Sequence, residues 1–520
     1  MQPQSYPRPN RQDNSKTEIN AKEQDLDVVT LQVIDALVKV NVTKSPNSPI
    51  PNLVIYHDEL CMVGSNEFGP AITKMNVDKL INQMAKHLNF WAVSSKDDDE
   101  KGPTRKKKKG SNARPPSDVA RNILASPTLP FPIVDEIVSV PVFGKDGQLL
   151  DRPGYHESDR LIYWPSKGVE FLSVDSNPTT EYVERAKYLL FDDFLVDFPF
   201  ASESDKCHAL CVALHSFMKR MISGPTPFYL VEKPAPGAGG TLLVNVLTYL
   251  FLGKMPPPMT MPKDESEWRR TLHASLRSGT PILFIDNIDG CLDSPTLASM
   301  ITSDSLTDRV IRTSSTQTVE VKCLFIGSGN NPRLSKELVR RSIRIRIDPK
   351  RENPELRQEF KHPDLKEYVR SQRVDLVWAI LTLIQFWVAK GKPRGRKTLG
   401  SFEGWSWAMG GLLEAIGIPG FLVNREAFEG AATDIDEGMI EFLSNWNEKF
   451  GGGEVKAKDL IPFAGELNLN QRSGAGEESR SAALGKKLTR ERDNMFGRYC
   501  IRVSGSQQNT KCYRLEVSND

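Results

Sequence analysis

The sequence predicts an α/β protein built around a mainly parallel sheet. Three apolar runs, FYLV, PILFID and CLFIG, each have the length of a buried strand and end in polar or glycine-rich residues. A segment with helical character, TLLVNVLTYLFL, follows the first run. Because strands and helices alternate in this region, we expect the strands to run in one direction with helices on the faces of the sheet.

Length and composition restrict the class of protein. The chain has 520 residues, room for roughly two to four domains. Its 68 basic and 66 acidic residues give a net charge of +2, so any nucleic-acid contact must come from local patches. No apolar stretch is long enough to span a membrane, and the N-terminus lacks the apolar core of a signal peptide. The seven scattered cysteines indicate reduced thiols and a cytoplasmic location.

Composition shifts divide the chain into segments. We predict a disordered tail at 1–24, a small α+β domain at 25–95, a charged linker at 96–117, a β-rich segment at 118–180, a core at 181–350, a helical region at 351–430 and a separate unit at 435–518. In the α+β domain, LQVIDALVKVNV is compatible with a strand or a short helix, and VDKLINQMAKHLNFW has helical spacing. The lysine run of the linker is interpreted as solvated, with nucleic-acid binding as the alternative.

A glycine-rich loop opens the core helix and is a candidate phosphate-binding loop. Backbone N–H groups at a helix start, together with the helix dipole, attract anions. The pattern G-x-x-x-x-G-K-[ST] is broken twice, because Pro234 holds the first glycine position and Gly240 holds the lysine position. The candidate nucleotide-binding residues are Pro236, Gly237, Ala238, Gly239, Gly240 and Thr241.

An acidic residue follows the second buried strand of the core. Asp286 ends the run PILFID, and Asn287 comes directly after it. A carboxylate at this place, together with the hydroxyl of Thr241, is a candidate Mg²⁺ site. An ordinary turn after a buried strand is the structural alternative.

Amide and arginine side chains complete the pattern. Asn330 or Asn331, at the end of the third run, is a candidate for orienting an attacking water. Arg340 or Arg341 is a candidate arginine finger that reaches the nucleotide of a neighbouring subunit. Each residue alone fits a turn or a solvated surface. Their order along the chain indicates a nucleotide-binding core.

Residues about 117–425 resemble the AAA+ ATPases found with primase-polymerases in phages, plasmids and integrative elements, which are related in style to superfamily III replicative helicases. The motifs that carry the resemblance include GPTPFYLVEKPAPGAGGTLL, MPKDESEWRRTL, PILFIDNIDGCLDSPTLASMIT, GSGNNPRL and LVRRSIRIRID. The resemblance implies an AAA+ P-loop core with a helical lid, ATP and Mg²⁺ as cofactors, and a ring, for example a hexamer. It also implies single-stranded or origin-duplex DNA and a primase or initiator as partners.

This chain departs from the family at the phosphate loop, with PGAGGT in place of the usual PGTGKT. Loss of that lysine removes a charge-assisted contact of about 2–4 kcal/mol, so we expect hydrolysis to fall by about a hundredfold or more. Lys233 lies seven residues earlier, and we expect it not to reach the same position. Asn287 stands where many AAA+ enzymes have a catalytic glutamate, and Asp289 is a candidate helper.

Basic residues in two regions are candidates for DNA contact. In ring helicases of this kind a β-hairpin before the third run points into the pore, which makes Arg309 and Arg312 candidates. Near the C-terminus, three predicted helices precede two strands, RYCIRVSG and KCYRLEV, as in a winged helix-turn-helix. Packing against the ATPase or a partner is the alternative role of this unit. Its basic third helix supplies the candidates Arg480, Lys486, Lys487, Arg490 and Arg492.

The sequence therefore predicts a helicase-like AAA+ motor acting in replication of a mobile genetic element, cytoplasmic and nucleoid-associated. ATP hydrolysed between subunits would drive movement on DNA. Gly240 favours a second hypothesis, an ATPase-deficient DNA-binding or assembly subunit. A transcription regulator with an ATPase-like scaffold has the least support.

Overall fold

The computed structural model describes residues 16–21, 25–41, 50–66, 69–92, 111–309, 316–351, 354–465, 467, 476–492, 495–496, 498–507 and 510–518. The lysine run of the predicted linker lies outside these residues, as does Arg312 of the predicted pore hairpin. The described part is a mixed α/β structure with a central parallel sheet.

The N-terminal region is an α+β unit with its own apolar core. Its elements are β1 (Thr17–Asn20), α1 (Leu26–Val40), β2 (Leu53–Tyr56), β3 (Glu59–Asn66), β4 (Gly69–Lys74), α2 (Val77–His87), β5 (Leu88–Ala92), β6 (Ser111–Asn112) and α3 (Ser117–Ala125). Strands β2, β3 and β4 form one antiparallel sheet, and β1 pairs in parallel with β5.

The structure corrects several expectations here. The run LQVIDALVKV is helical because Asp25 caps α1, its carboxylate accepting from the backbone N–H groups of Asp27 and Val28. The helix predicted through LNFW ends at His87, because the next residues pair as β5. Thr17–Asn20, inside the predicted disordered tail, form β1 on that strand.

The next region is β-rich and leads into helices. Its elements are β7 (Glu136–Val138), β8 (Val142–Phe143), β9 (Leu149–Leu150), β10 (Gly154–His156), β11 (Leu161–Tyr163), α4 (Thr180–Lys187), a π-helical stretch (Tyr188–Phe194) and α5 (Glu203–Met218). The segment KDGQ forms the turn that joins β8 to β9, and Gly147 adopts φ 92° in it. Helix α4 begins at Thr180, and the side chain of Thr179 caps it by accepting from the Tyr182 backbone N–H.

The central region carries the parallel sheet. Its elements are β12 (Phe228–Lys233), α6 (Gly240–Leu252), β13 (Pro258–Met259), α7 (Glu265–Arg277), β14 (Ile282–Ile288), β15 (Cys291–Leu292), α8 (Pro295–Ile301), β16 (Ser305–Arg309), β17 (Thr316–Glu320), β18 (Leu324–Asn330), β19 (Arg333–Leu334), α9 (Lys336–Arg340) and β20 (Ser342–Arg346). The sheet order is β13-β14-β18-β12-β20, with all neighbours parallel. The carboxyl-terminal parts of β12, β14 and β18, which carry Lys233, Asp286 and Asn330, therefore lie along one edge.

Helices cover this sheet and join its core. They continue with α10 (Leu365–Ser371), α11 (Arg373–Ala389) and α12 (Glu403–Ala415), and the side chains of α11 are buried in the same apolar cluster as the sheet. In the described part of the chain, no single helix has the length and hydropathy needed to cross a membrane. The pair α10 and α11, bent by 72°, meets that test only when the two are counted together.

The C-terminal unit has a separate apolar core. Its elements are α13 (Arg425–Phe450), β21 (Val455–Lys456), a 3₁₀ helix (Ala457–Phe463), α14 (Glu477–Arg490), β22 (Met495–Phe496), β23 (Tyr499–Gln507) and β24 (Thr510–Val517). The sheet order is β21-β24-β23-β22, all antiparallel. The predicted second helix is instead a short strand and a 3₁₀ helix, because Val455 and Lys456 pair with β24.

The predicted boundary between 430 and 435 falls inside α13, which runs without interruption through both regions. Near its start, Phe428 packs into the central core, whereas Phe442 and Trp446 belong to the C-terminal core. One continuous helix therefore connects the two cores.

Candidate functional site

The glycine-rich loop joins the end of β12 to the start of α6. Gly237 has φ 78° and Gly239 has φ 94°, in the left-handed region that side chains with a Cβ seldom adopt. Gly239 is the N-cap, and α6 begins at Gly240 with no side chain capping its first N–H groups. These unsatisfied N–H groups and the helix dipole make the loop an anion-binding cradle.

Asp286 is held at the edge of the sheet by three donors. The Thr241 hydroxyl donates to one carboxylate oxygen at 3.0 Å, the Ser328 hydroxyl donates to the same oxygen at 2.5 Å, and the backbone N–H of Asn287 donates at 2.9 Å. The pairing of β14 with β18 is irregular between Ile285 and Ile288, the stretch that contains Asp286. The first helix turn and two strands thus converge on one carboxylate.

Ser328 was missed by sequence reasoning. It is fully buried within β18, two residues before Asn330. Alternate residues of a strand share a face. Because Asn330 was a predicted site residue, Ser328 could have been inferred to lie on the same face of β18. Strand pairing then sets it beside Asp286, a relation that spacing along the chain does not reveal.

The two asparagines predicted as alternatives occupy different positions. Asn331, at φ 41°, donates from its backbone to the Lys233 carbonyl at 2.8 Å and from its side chain to the Pro234 carbonyl at 3.2 Å. It therefore ties down the base of the phosphate loop. Asn330 is exposed at the end of β18 and pairs in register with Lys233, so its amide faces solvent at the edge of the sheet.

The two arginines also differ. Arg341 is held within its own subunit, because its guanidinium pairs with Glu337 at 3.1 Å and donates to the carbonyl of the same residue. Arg340 ends α9 with an exposed side chain, and no described residue forms an ion pair with it. Arg425 donates to the backbone carbonyls of Val339, Arg340 and Ser342, which fixes the end of α9.

Asn287 and Asp289 follow Asp286 on the solvent side. Asn287 has φ 57° and is exposed, as is Asp289. Neither side chain is near enough to Asp286 to bond it; only the Asn287 backbone does so. Both side chains are therefore exposed to solvent at the carboxyl edge of the sheet.

Lys233 lies beside the position that the sequence leaves without a lysine. A Cβ built on Gly240 would lie 3.0 Å from Lys233 Cδ and 3.6 Å from its Cε. The seven-residue separation suggested that Lys233 lies away from this position, whereas its side-chain stem lies beside it, because the loop returns the helix start to the end of β12. The neighbouring Glu232 points the other way and pairs with Arg346 at 2.9 Å. Burial raises the pKa of Glu232 above its usual value, and the charges of Arg346 and Arg344 oppose that rise.

The candidate DNA-binding residues are spread over two surfaces. Arg309 ends β16 of the hairpin β16–β17, and the structure describes its backbone alone. On α14, Leu484 and Leu488 are buried while Arg480 and Lys486 are exposed. Lys487 is half-buried, Arg492 is exposed just past the helix, and Arg490 is described by its backbone alone.

The donor set around Asp286 suits Mg²⁺. Carboxylate and hydroxyl oxygens are the ligands this hard cation takes, and Asp286 and Thr241 offer them 3.0 Å apart beside the anion cradle. Elsewhere in the core, Cys207, Cys211 and His215 of α5 are buried, and His215 Nδ1 is hydrogen-bonded to the Tyr229 hydroxyl at 3.1 Å. Burial lowers the pKa of His215 to about 3, so this imidazole is neutral in the core.

Comparison with known proteins gives weak structural similarities. The C-terminal region of NrS-1 matches with a TM-score of 0.34 and 11% identity, covering 94% of this chain and 99% of that one. SCCmec type IV Cch, described as an active helicase, matches with a TM-score of 0.35 and 11% identity over 90% and 98% of the two chains. JCV helicase matches with a TM-score of 0.20 and 15% identity over 51% and 72%.

No protein-family model matches the chain, and no curated protein matches it significantly. All three TM-scores are low. The functional assignment of this chain therefore depends on the geometry of its own residues.

Proposed function

We propose that this chain is a helicase-like AAA+ motor that hydrolyses ATP to move on DNA. The observation that carries the proposal is the convergence of Thr241, Ser328 and Asp286 beside the glycine-rich loop. An anion cradle and a carboxylate–hydroxyl pair at one sheet edge suit a nucleotide triphosphate with its metal.

The residues divide the chemistry between them. The backbone N–H groups of the segment Pro236–Gly240 bind phosphate oxygens, and Thr241 and Asp286 would hold Mg²⁺, which when bound neutralises phosphate charge. Ser328 fixes the carboxylate. Asn330 orients the attacking water from the next strand, while Asn331 holds the loop in place. Asn287 and Asp289 line the open side, where they assist that water.

A ring explains the remaining arginine. Arg340 is exposed on a helix end that Arg425 anchors, the arrangement a finger needs to reach the nucleotide of an adjacent subunit. A homo-oligomeric ring such as a hexamer supplies that subunit. DNA would contact the hairpin at Arg309 and Arg312 and the basic helix of the C-terminal unit, which we propose to be a winged helix. Replication of a mobile element with a primase partner is the setting we propose.

Gly240 favours a second candidate function. Without a lysine at this position, a DNA-binding or assembly subunit that binds ATP without hydrolysing it would keep the same fold. The two functions differ in one measurable property, turnover.

Mg²⁺-dependent ATP hydrolysis by the purified chain, with and without single-stranded DNA, separates them. We expect the parent to hydrolyse ATP faster on adding DNA, and Asp286→Ala to lose turnover by about a hundredfold or more, because the metal loses its carboxylate. Asp78→Ala, an exposed acid in the first turn of α2, is the matched control and should keep parental turnover.

A parent that binds DNA but hydrolyses ATP no faster than Asp286→Ala would contradict the motor and support the assembly subunit. If Asp78→Ala loses as much ATP turnover as Asp286→Ala, the loss reflects unfolding of the variants and not removal of a metal ligand.

A further inference from the structure

We propose that Lys233, from the end of β12, supplies the positive charge to the nucleotide phosphates that position 240 lacks. The inference rests on the proposed ATPase function and assigns a phosphate-binding residue within it.

Burial and pairing single out Lys233. Lys233 as a whole is 6% exposed, yet no described residue forms an ion pair with its amine or accepts a hydrogen bond from that amine. Glu232, next in the chain, is committed to Arg346. Among the described residues the positive charge of Lys233 therefore has no acidic partner, and an anion bound at the loop would supply one.

The direction of the side chain places this charge at the phosphate cradle. Val231 and Lys233 share the face of β12 that packs on α6, since alternate strand residues point the same way. A Cβ on Gly240 would meet Val231 Cγ1 at 3.4 Å as well as the Lys233 stem at 3.0 Å. The lysine stem thus runs past the first residue of α6, where the unsatisfied N–H groups begin.

Gly240 and Lys233 depend on each other. The Lys233 methylenes fill the space where a side chain at 240 would start, so a residue with a Cβ there would push the stem aside. The backbone of Lys233 is fixed, because its carbonyl accepts from Asn331 at 2.8 Å and the strand pairs with β18. In the usual phosphate-binding loop the lysine stands at the start of the helix. Here the glycine-rich loop is kept, but the lysine stands on the strand and a glycine takes its place on the helix.

Removing the charge of Lys233 tests the proposal. Lys233→Met keeps the stem and removes the charge. It should lower hydrolysis by about a hundredfold and weaken fluorescent ATP and ADP analogues by about tenfold. Binding of the AMP analogue, which lacks these phosphates, should not change. Lys366→Met, an exposed lysine of α10, is the control expected to match the parent.

Rescue separates a charge role from a packing role. Lys233→Ala should be as inactive as Lys233→Met, and the double variant Lys233→Ala, Gly240→Lys should recover most of the lost turnover, because the new lysine enters the vacated space. Gly240→Lys alone should not exceed the parent, since two stems compete for one space. Thermal unfolding of each variant establishes that the proteins compared are folded.

Three results would overturn the inference. A parent that hydrolyses ATP at the same rate as Lys233→Met leaves the ATPase function standing without Lys233. Turnover that appears only in Gly240→Lys shows that Lys233 does not replace the missing residue. A parent that neither binds nor hydrolyses ATP removes both the inference and the proposed function.

Discussion

The carboxyl edge of the central sheet and the outer face of α14 hold their polar side chains in different ways. At the sheet edge, Asp286 accepts hydrogen bonds from Thr241 and the buried Ser328. On α14, the leucines point inward and Lys486 lies in solvent. The first arrangement is set before any ligand arrives, whereas the second offers charge that salt screens.

This difference predicts how each region responds to change. At a preorganised site one side chain decides the rate, because its orientation is part of the transition-state stabilisation. On a solvated helix each charge adds a small and similar amount to DNA affinity. The proposed motor therefore concentrates its sensitivity at the sheet edge and distributes it over α14.

Apart from Asp286→Ala, the largest effect is expected at Arg340. It tests whether a solvent-exposed side chain can be as important for ATP turnover as a preorganised one. Arg340→Ala should reduce ATP turnover by about a thousandfold, because in the proposed ring this exposed arginine would be part of the neighbouring subunit's site. Arg341→Ala, which removes the pair with Glu337, should change turnover by less than about tenfold. Steady-state hydrolysis of assembled protein measures both.

Mixing subunits sharpens that test. Arg340→Ala subunits retain Asp286, and Asp286→Ala subunits retain Arg340, so mixed rings contain some intact interfaces. Turnover should therefore rise above that of either variant alone. No recovery on mixing, or equal losses in Arg340→Ala and Arg341→Ala, would refute a finger acting between subunits.

A core substitution in the C-terminal unit should separate the two regions. Leu488→Ala removes a fully buried side chain of α14 and should destabilise that unit by about 2–5 kcal/mol. DNA binding and DNA-stimulated hydrolysis should be lost, while basal hydrolysis persists, because the central core is a different cluster. Hydrogen exchange and turnover with and without DNA check this.

Leu356→Ala is the matched control, since that leucine is 71% exposed. It should change neither property. Loss of basal hydrolysis in Leu488→Ala at a temperature where the central region remains folded would mean that the continuous helix α13 couples the two cores.

The fold could be read from the sequence where one local rule applied. Long apolar runs ending in polar residues marked β12, β14 and β18, because buried strands need continuous apolar sequence. The run LNFW was assigned to a helix because its apolar spacing suits a helix as well as a strand. Pairing with β1, remote in the sequence, decides for the strand.

The candidate site could be read only in part for a related reason. The sequence indicates which residues end strands, but not which of them meet. Ser328 on β18 donates a hydrogen bond to Asp286 on the neighbouring strand β14. The Lys233 stem lies beside Gly240 because the loop brings the start of α6 back to the end of β12. The two residues are seven positions apart in the sequence, whereas in the structure the Lys233 stem occupies the space where a Cβ at position 240 would begin.

The smallest expected effect concerns a single charge on α14. Lys486→Ala should weaken binding to single-stranded or duplex DNA uniformly across sequences and reduce the slope of log affinity against log salt by about 1, as expected for one lost phosphate contact. The exposed Lys366 of α10 provides the control, and Lys366→Ala should leave the slope unchanged. Fluorescence anisotropy across a salt series measures both. A Lys486→Ala slope equal to the parent's would place this face of α14 away from DNA and assign the C-terminal unit to packing or partner contact, because a solvated charge acts on DNA only where it displaces a counterion.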